Sequence, residues 1–350
     1  MSFTVFTLDY WRQFLICALL ATTCSITTLA QYSDSLTRKE KGWIEDMDEY
    51  LAIKFHASNE LEAFMVDAGD FEPELFPNTS TTLNVGFNYR FLSFTISHAP
   101  KFLPGNNDDD IKGRTKNFGL SIGIIHPHWF TAVSYSRNKG YYLRNTDEFS
   151  SDWQTGDPFL LLPDMKVSSF EGITGYSFNR RYSVRALTIQ TERQLRSAGT
   201  FVPLVGYRLY FVDNLNAGSG QKSQNLEFVA GAGYHYTYVL KSTFYASLGL
   251  TPGAGYIFTK LTTRGQSGAP DDIVTNNKAP ILRLEGRFAL GYNGERFFAG
   301  IYTDFRDSVF KQEGTTAINT DTHIFYQAFL GYRFQAPSDL RRALQKIPIR

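Results

Sequence analysis

The chain has 350 residues, 35 of them basic and 34 acidic, for a formal charge of +1. That balance excludes an electrostatic nucleic-acid surface, which needs a basic excess gathered on one face. Phe, Tyr and Trp make up 15% of the residues, yet mean hydropathy is −0.25. Together these values point to strands with one apolar and one polar face rather than a thick two-sided core.

Residues 1–30 read as a cleaved secretory signal. Arg12 precedes the apolar stretch Phe14 to Ala21, and Thr28-Leu29-Ala30 ends it in the small residues a signal peptidase reads. Thr22-Thr23-Cys24 is a poor fit to a lipoprotein site, because Thr precedes the cysteine. Both cysteines, Cys17 and Cys24, fall inside this segment. The exported chain then has no thiol for disulfides, nucleophilic catalysis or thiolate metal ligation. A bacterial periplasm or outer membrane is the expected compartment.

Residues 31–80 read as a periplasmic lead-in, with a short helix from about Thr37 to Tyr50 and extended pieces at 51–58 and 61–67. From about Thr82 the pattern changes to long segments of alternating apolar and polar residues. In 282–292, Leu282, Leu284, Phe288, Leu290 and Tyr292 share one parity, while Arg283, Glu285, Arg287 and Gly291 share the other. Period two is the signature of a strand. Glycines, serines and full charges recur on the second face, aromatics gather near the ends of the first, and the segments exceed an ordinary soluble strand. These features predict an all-β fold: a transmembrane antiparallel up-and-down β-barrel over 81–335, in the bacterial outer membrane.

The segments are 82–90, 92–100, 115–126, 129–144, 166–179, 181–194, 199–213, 225–239, 242–257, 280–293, 296–310 and 322–335. That makes about 12 strands, with 14 as the alternative. The alternation of short periplasmic and long outer connections holds back from the C-terminus but slips at 101–114 and 145–165, so either a strand is miscounted near 51–67 or 190–215 or some periplasmic connections are long. Residues 336–350 follow Pro337 as a short basic helix and are expected to be a solvated periplasmic tail.

Candidate chemistry is sparse. His126 and His128 flank Pro127 with no third ligand nearby, so no metal is expected. Asn106 to Asp110 lacks the spacing and closing acid of a calcium loop and reads as a solvated loop. Neither a Gly-x-Ser-x-Gly elbow nor the His-x-x-Ser-Asn-Gly stretch of the outer-membrane phospholipase is present, so no enzyme, catalytic residue or cofactor is expected. The polar parity carries nine lumen-facing charges: Glu171, Arg208, Glu227, Arg283, Glu285, Arg287, Asp304, Arg306 and Arg333. They either pair across the lumen and close it, which is favoured, or line a pore that selects solutes.

Two stretches resemble a known family. Ser134 to Asn145 contains Lys139, Gly140, Tyr141 and Tyr142, similar to a Lys-Gly-aromatic-Tyr-Leu element. Tyr176 to Thr200 contains Phe178-Asn179, Tyr182-Ser183 and Gln194, Ser197, Ala198, Gly199, similar to a second element, with Thr200 replacing Ser. Both are elements of a family of uncharacterised Gram-negative outer-membrane proteins, domain of unknown function 4421. The resemblance implies an outer-membrane barrel and supplies no activity. Gly140 is expected to permit a bulge, and Ser197-Ala198-Gly199 a tight turn or a close backbone contact.

The leading functional expectation is a non-enzymatic barrel forming a narrow channel for small solutes. The alternatives are an adhesion or interaction barrel acting through connections 258–279 and 311–321, and a lipid-modifying enzyme. The expected partners are outer-membrane lipid and the barrel-assembly machinery during insertion, with no nucleic acid.

Overall fold

The computed structural model describes residues 42–66, 73–79, 81–103, 105–214, 220–264, 272–310 and 318–345. The expected signal segment and the helix expected from Thr37 lie outside the described residues, except for the latter's last part, which is not helical. Described elements run β1 (Ile44–Asp46), β2 (Tyr50–Val66), β3 (Glu74–Pro77), β4 (Thr82–Tyr89), β5 (Leu92–His98), α1 (Asp109–Lys112), β6 (Lys116–Ile125), β7 (Trp129–Leu143) and α2 (Thr146–Phe149). They continue with β8 (Leu160–Tyr176), α3 (Val184–Thr188), β9 (Glu192–Gln194), β10 (Ala198–Asn214), β11 (Gln221–Leu240), β12 (Phe244–Thr263), β13 (Ile273–Asn293), β14 (Phe297–Phe310), β15 (Ile318–Gln335) and α4 (Ser338–Gln345).

Twelve antiparallel strands close into a barrel, because β15 pairs with β2 along the length of both. Closure leaves no strand edge with unpaired backbone groups, the condition for crossing a bilayer without helices. Side chains alternate as the sequence pattern requires. Leu282, Leu248 and Ile301 stand 65%, 64% and 52% exposed, whereas Glu227 and Arg333 are 1% and 0% exposed. Apolar residues outside and charges inside reverse the order of a water-soluble protein. Strands β11 to β13 run 20, 20 and 21 residues, well beyond the roughly 9–11 that span the hydrocarbon.

Two expectations are corrected. Residues 50–66 are not part of a lead-in: β2 is a wall strand, pairing with β15 on one side and β4 on the other. Residues 181–194 are not a wall strand, because β8 pairs directly with β10 and the chain between them holds α3 and β9. The two errors cancel in the strand count. Correcting them restores the connection rule at every described link except the long 177–197 segment. The links at 90–91, 126–128, 241–243 and 294–296 are tight and share one end with the segment 177–197, while the long links lie at the other end. Short turns face the periplasm in such barrels; by that rule the end bearing the tight links is termed periplasmic and the end bearing the 67–81, 99–115 and 144–159 connections outer.

The wall is uneven. β4 and β5 have only 8 and 7 residues. Above them, β3 pairs with β2 at Phe64 and Met65 and with β7 at Tyr141 to Leu143, replacing three strands by one near the outer end. The bulge expected at Gly140 is present. Its φ is +95°, the β7–β8 register shifts between Lys139 and Tyr141, and a Cβ there would run into the Arg114 carbonyl.

The described part of the tail, residues 336–345, is not free. The Ala336 N–H donates to the Glu49 carbonyl at 2.9 Å, and Arg90 Nη1 donates to the Leu344 carbonyl at 2.6 Å. These bonds hold α4 against the periplasmic rim.

Candidate functional site

Among the described residues the lumen holds the largest set of buried charges, and it is built in three layers. Nearest the outer end is an apolar layer of inward-facing residues on β7, β8 and β10 to β14. Tyr141, Met165, Tyr210, Ile257, Ile281 and Phe310 lie in it, each exposed by 4% or less. Burial this complete inside a barrel leaves no water-filled gap beside these walls, and it turns what porins keep wet into a packed core.

The middle layer is ionic, and eight of the nine charges placed on the inward parity meet there. Glu227 pairs with Arg283, both buried, and Arg283 Nε also donates to Ser308 Oγ at 2.9 Å. Arg208 lies 3.0 Å from Glu171, and Arg306 bridges Glu171 at 3.6 Å and Glu285 at 3.4 Å. Arg287 grips Asp304 with two bonds, at 2.5 and 2.8 Å. Burying a charge without a partner is costly, so this cross-wall pairing is what permits so many charges at membrane depth. Such pairs fix register and spacing more than they add net stability.

The third layer closes the periplasmic end, and it comes from the 177–197 segment. The segment leaves the wall between β8 and β10 and crosses to β15 and β2, which lie opposite in the ring. Arg333, the ninth charge, receives it there. Its guanidinium donates to the Gln190 carbonyl at 2.8 Å, to the Gly294 carbonyl at 2.5 Å and to Asn293 Oδ1 at 2.5 Å. Lys54 Nζ on β2 donates to the Thr188 carbonyl at 3.3 Å, 4.4 Å from the Phe329 ring centre. Asn293 Nδ2 donates to the Ala186 and Glu192 carbonyls, both at 3.2 Å. Arg193 Nε donates to the Asn293 carbonyl at 3.0 Å. The Thr191 hydroxyl donates to the Arg90 carbonyl at 2.6 Å.

Within the segment, Ser183 caps α3 by accepting from the Ala186 N–H at 2.8 Å. Its hydroxyl also donates to Glu192, which pairs with Arg185. Burial pushes the Glu192 carboxyl up to about 7. Asp46 adds to that push, while Arg185 and the Ser183 bond oppose it. Burial likewise raises the Tyr182 phenol, although hydrogen bonds from Thr237 and Ser247 in the wall pull it back. Strand β9 pairs with β1, so the N-terminal approach forms part of the same closure.

The residues that carried the family resemblance sit at the joints of this segment. Gln194 accepts from the Ser183 N–H at 2.7 Å and donates to the Arg181 carbonyl at 2.6 Å. Asn179 Nδ2 donates to the Gly199 carbonyl at 2.7 Å, and Ser197 Oγ accepts from the Val239 N–H at 2.9 Å. Ala198 and Gly199 begin β10, where a Cβ on Gly199 would collide with the Tyr234 ring. Lys139, Gly140 and Tyr141 lie at the outer bulge instead.

The histidines do not gather. His126 stacks on Phe91 at 5.4 Å and on Trp129 at 5.8 Å, and burial, with Arg185 adding to it, lowers it to about 4. His128 Nδ1 lies 2.7 Å from the Ser177 carbonyl. Among the described residues no group of three or more His, Cys, Asp or Glu could hold a metal ion.

Comparison with known proteins decides the family. The family described as Domain of unknown function (DUF4421) matches residues 34–334. The chain belongs to this family. A search of curated proteins finds no match. Similar solved structures are outer-membrane barrels. The outer-membrane OmpT of Vibrio cholerae is 9% identical with a TM-score of 0.30, covering 81% of this chain and 97% of its own. The outer membrane protease OmpT of Escherichia coli is 6% identical with a TM-score of 0.34, covering 82% and 97%. The toluene transporter TodX of P. putida is 7% identical with a TM-score of 0.25, covering 82% and 90%. At these values they carry no argument about the DUF4421 chain's activity.

Sequence reasoning missed Lys54, Arg185, Glu192 and Arg193 as lumen-closing residues. The signal was present: neither parity of 181–194 forms an apolar face fit for lipid, since Arg181, Arg185 and Arg193 share theirs with Leu187 and Ile189.

Proposed function

We propose that this protein is a non-enzymatic outer-membrane barrel with a closed lumen, acting through its outer surface as an interaction protein rather than as an open channel. The observation that carries this reading is the 177–197 segment, hydrogen-bonded to β2 and β15 on the far side of the ring from its origin. The packed apolar layer near the outer end supports it independently.

The outer connections support the choice of an interaction role, because three of them join into one platform. The Asn78 N–H donates to Thr115 Oγ1 at 2.8 Å and Asn78 Nδ2 to the Gly113 carbonyl at 2.7 Å. The Thr81 N–H donates to Asn106 Oδ1 at 3.0 Å, and the Phe159 N–H to the Ile111 carbonyl at 2.9 Å. A pre-organised platform loses little entropy on binding a partner.

Reconstitution in planar bilayers tests this. The purified full chain is expected to stay silent, and stepwise conductance from the unmodified protein sinks the reading in favour of a narrow solute channel.

A further inference from the structure

Outside the lumen, one arrangement of positive charge exceeds the counter-charge around it. At the outer ends of β6, β7 and β8, Lys116 is the register partner of Lys139, and Lys139 of Lys166. The three share the parity of Phe118, Tyr135 and Phe170, so they form one row on the outward face. One step toward the periplasm, Arg137 stands between Phe118 and Ser168. Like charges directly opposed across a sheet destabilise it. Nearby counter-charge is small: Asp164 lies 3.0 Å from Lys139, and Asp213 is the register partner of Lys166. Among the described residues no carboxylate makes an ion pair with Lys116, Arg137 or Lys166.

An aromatic patch lies directly beneath the row. The Tyr135 ring is 6.4 Å from Phe118 and 4.7 Å from Phe170. Exposed Ile122 and Val133, register partners of one another, continue the apolar surface downward. The opposite wall shows the contrast. There Lys278 is the register partner of Phe258 and stands over the Tyr256 ring at 4.4 Å, its stem on apolar surface, and nearby Lys260 is opposed in register by Gln224 and Asn276 rather than by a like charge.

We propose that the Lys116–Arg137–Lys139–Lys166 row binds the phosphate-bearing headgroup of an anionic lipid in the outer leaflet, with acyl chains lying on Phe118, Ile122 and Val133. Phosphate oxygens between the ammonium groups remove the mutual repulsion, and Arg137 offers a two-pronged donor at the level where headgroup meets chain. A soluble anion would use the cations and leave the apolar surface beneath them without a role. The position at the ends bearing the long connections places the site in the outer leaflet.

Native mass spectrometry of the detergent-solubilised full chain, with heat-modifiable gel mobility to confirm folding, tests this. Diphosphoryl lipid A is the probe. The wild type is expected to retain it, and K116Q/R137Q/K166Q to retain it about tenfold more weakly while still folded. K260Q/K278Q on the opposite wall is expected to match the wild type. Inorganic phosphate and fully dephosphorylated lipid A are expected to bind poorly. Equal retention by the folded triple variant overturns the proposal, as does equal retention of the dephosphorylated lipid. Phosphate alone binding as tightly as the lipid replaces it with a soluble-anion site. If the triple variant fails to fold, the single variants R137Q and K166Q carry the comparison, with a graded loss expected and no loss overturning it.

Discussion

β13 and the 181–194 stretch both mix arginine and glutamate with apolar residues, and they end in opposite places. In β13 the charges Arg283, Glu285 and Arg287 keep one parity, and Leu282, Leu284, Phe288 and Leu290 keep the other. The first set meets partners in the lumen, and the second stands exposed where lipid would lie. In 181–194 the arginines share a parity with Leu187 and Ile189, so no face suits lipid. That stretch forms α3 and β9 and is held across the barrel mouth by bonds to carbonyls. Period-two alternation therefore places a segment in a membrane only when one parity is apolar along its lipid-facing middle, with any outward cations kept toward the strand ends, as Lys116 and Lys166 are.

The wall should be the less forgiving of the two regions. Gly255 faces inward beside Val229, and a Cβ there would collide with the Phe228 carbonyl. Gly255→Val should cost about 3 kcal/mol or more and abolish the heat-modifiable folded band. Arg333→Met is the next largest change. It leaves several buried carbonyls and Asn293 Oδ1 without their donor, at about 2–4 kcal/mol. The barrel should survive, while hydrogen exchange across 183–194 should quicken. Equal protection of both regions in this variant would remove the distinction between wall and closure.

A pH series sharpens the same contrast. Glu192 holds its proton up to about 7 in the folded chain, against an ordinary value of 4.5. The unfolded segment then binds fewer protons between those values, so the closure is most stable below about 4.5 and weakens as pH rises toward 7. Exchange at 183–194 should accelerate from pH 5 to pH 8 once the intrinsic chemical rate is removed, and Glu192→Gln should flatten that dependence. Ser183→Ala should be the mildest change, at about 1 kcal/mol from the lost cap of α3, read as faster exchange at Ala186 with an unaltered wall.

The sequence makes the wall legible because lipid on one side and water or counter-charge on the other impose a local rule on every second residue. It leaves the closure unread because its bonds run mostly to carbonyl groups, as from Arg333 to Gln190 and from Lys54 to Thr188, and any residue type can supply a carbonyl. β2 was obscured for a different reason. Its inner face carries Lys54, His56 and Ser58, and Lys54 makes sense as an inward residue only once the segment it holds is in place. The nine inward charges could be placed from parity, but their pairing depends on strand register, as for Arg287 and Asp304, and on which strands face each other across the ring, as for Arg306 and Glu171.

The most direct measurement is a thiol crosslink between Ala186→Cys and Asn293→Cys in a chain whose Cys17 and Cys24 are replaced by serine. A closed lumen places these positions in hydrogen-bond contact, so a short bifunctional thiol reagent should join them in detergent and in native membranes, shifting the unfolded band on a gel. If position 186 fails to link to 293, while Ala186→Cys does link to a cysteine placed instead on β8 or β10, the 181–194 stretch lies in the wall and the account of a closed barrel is wrong.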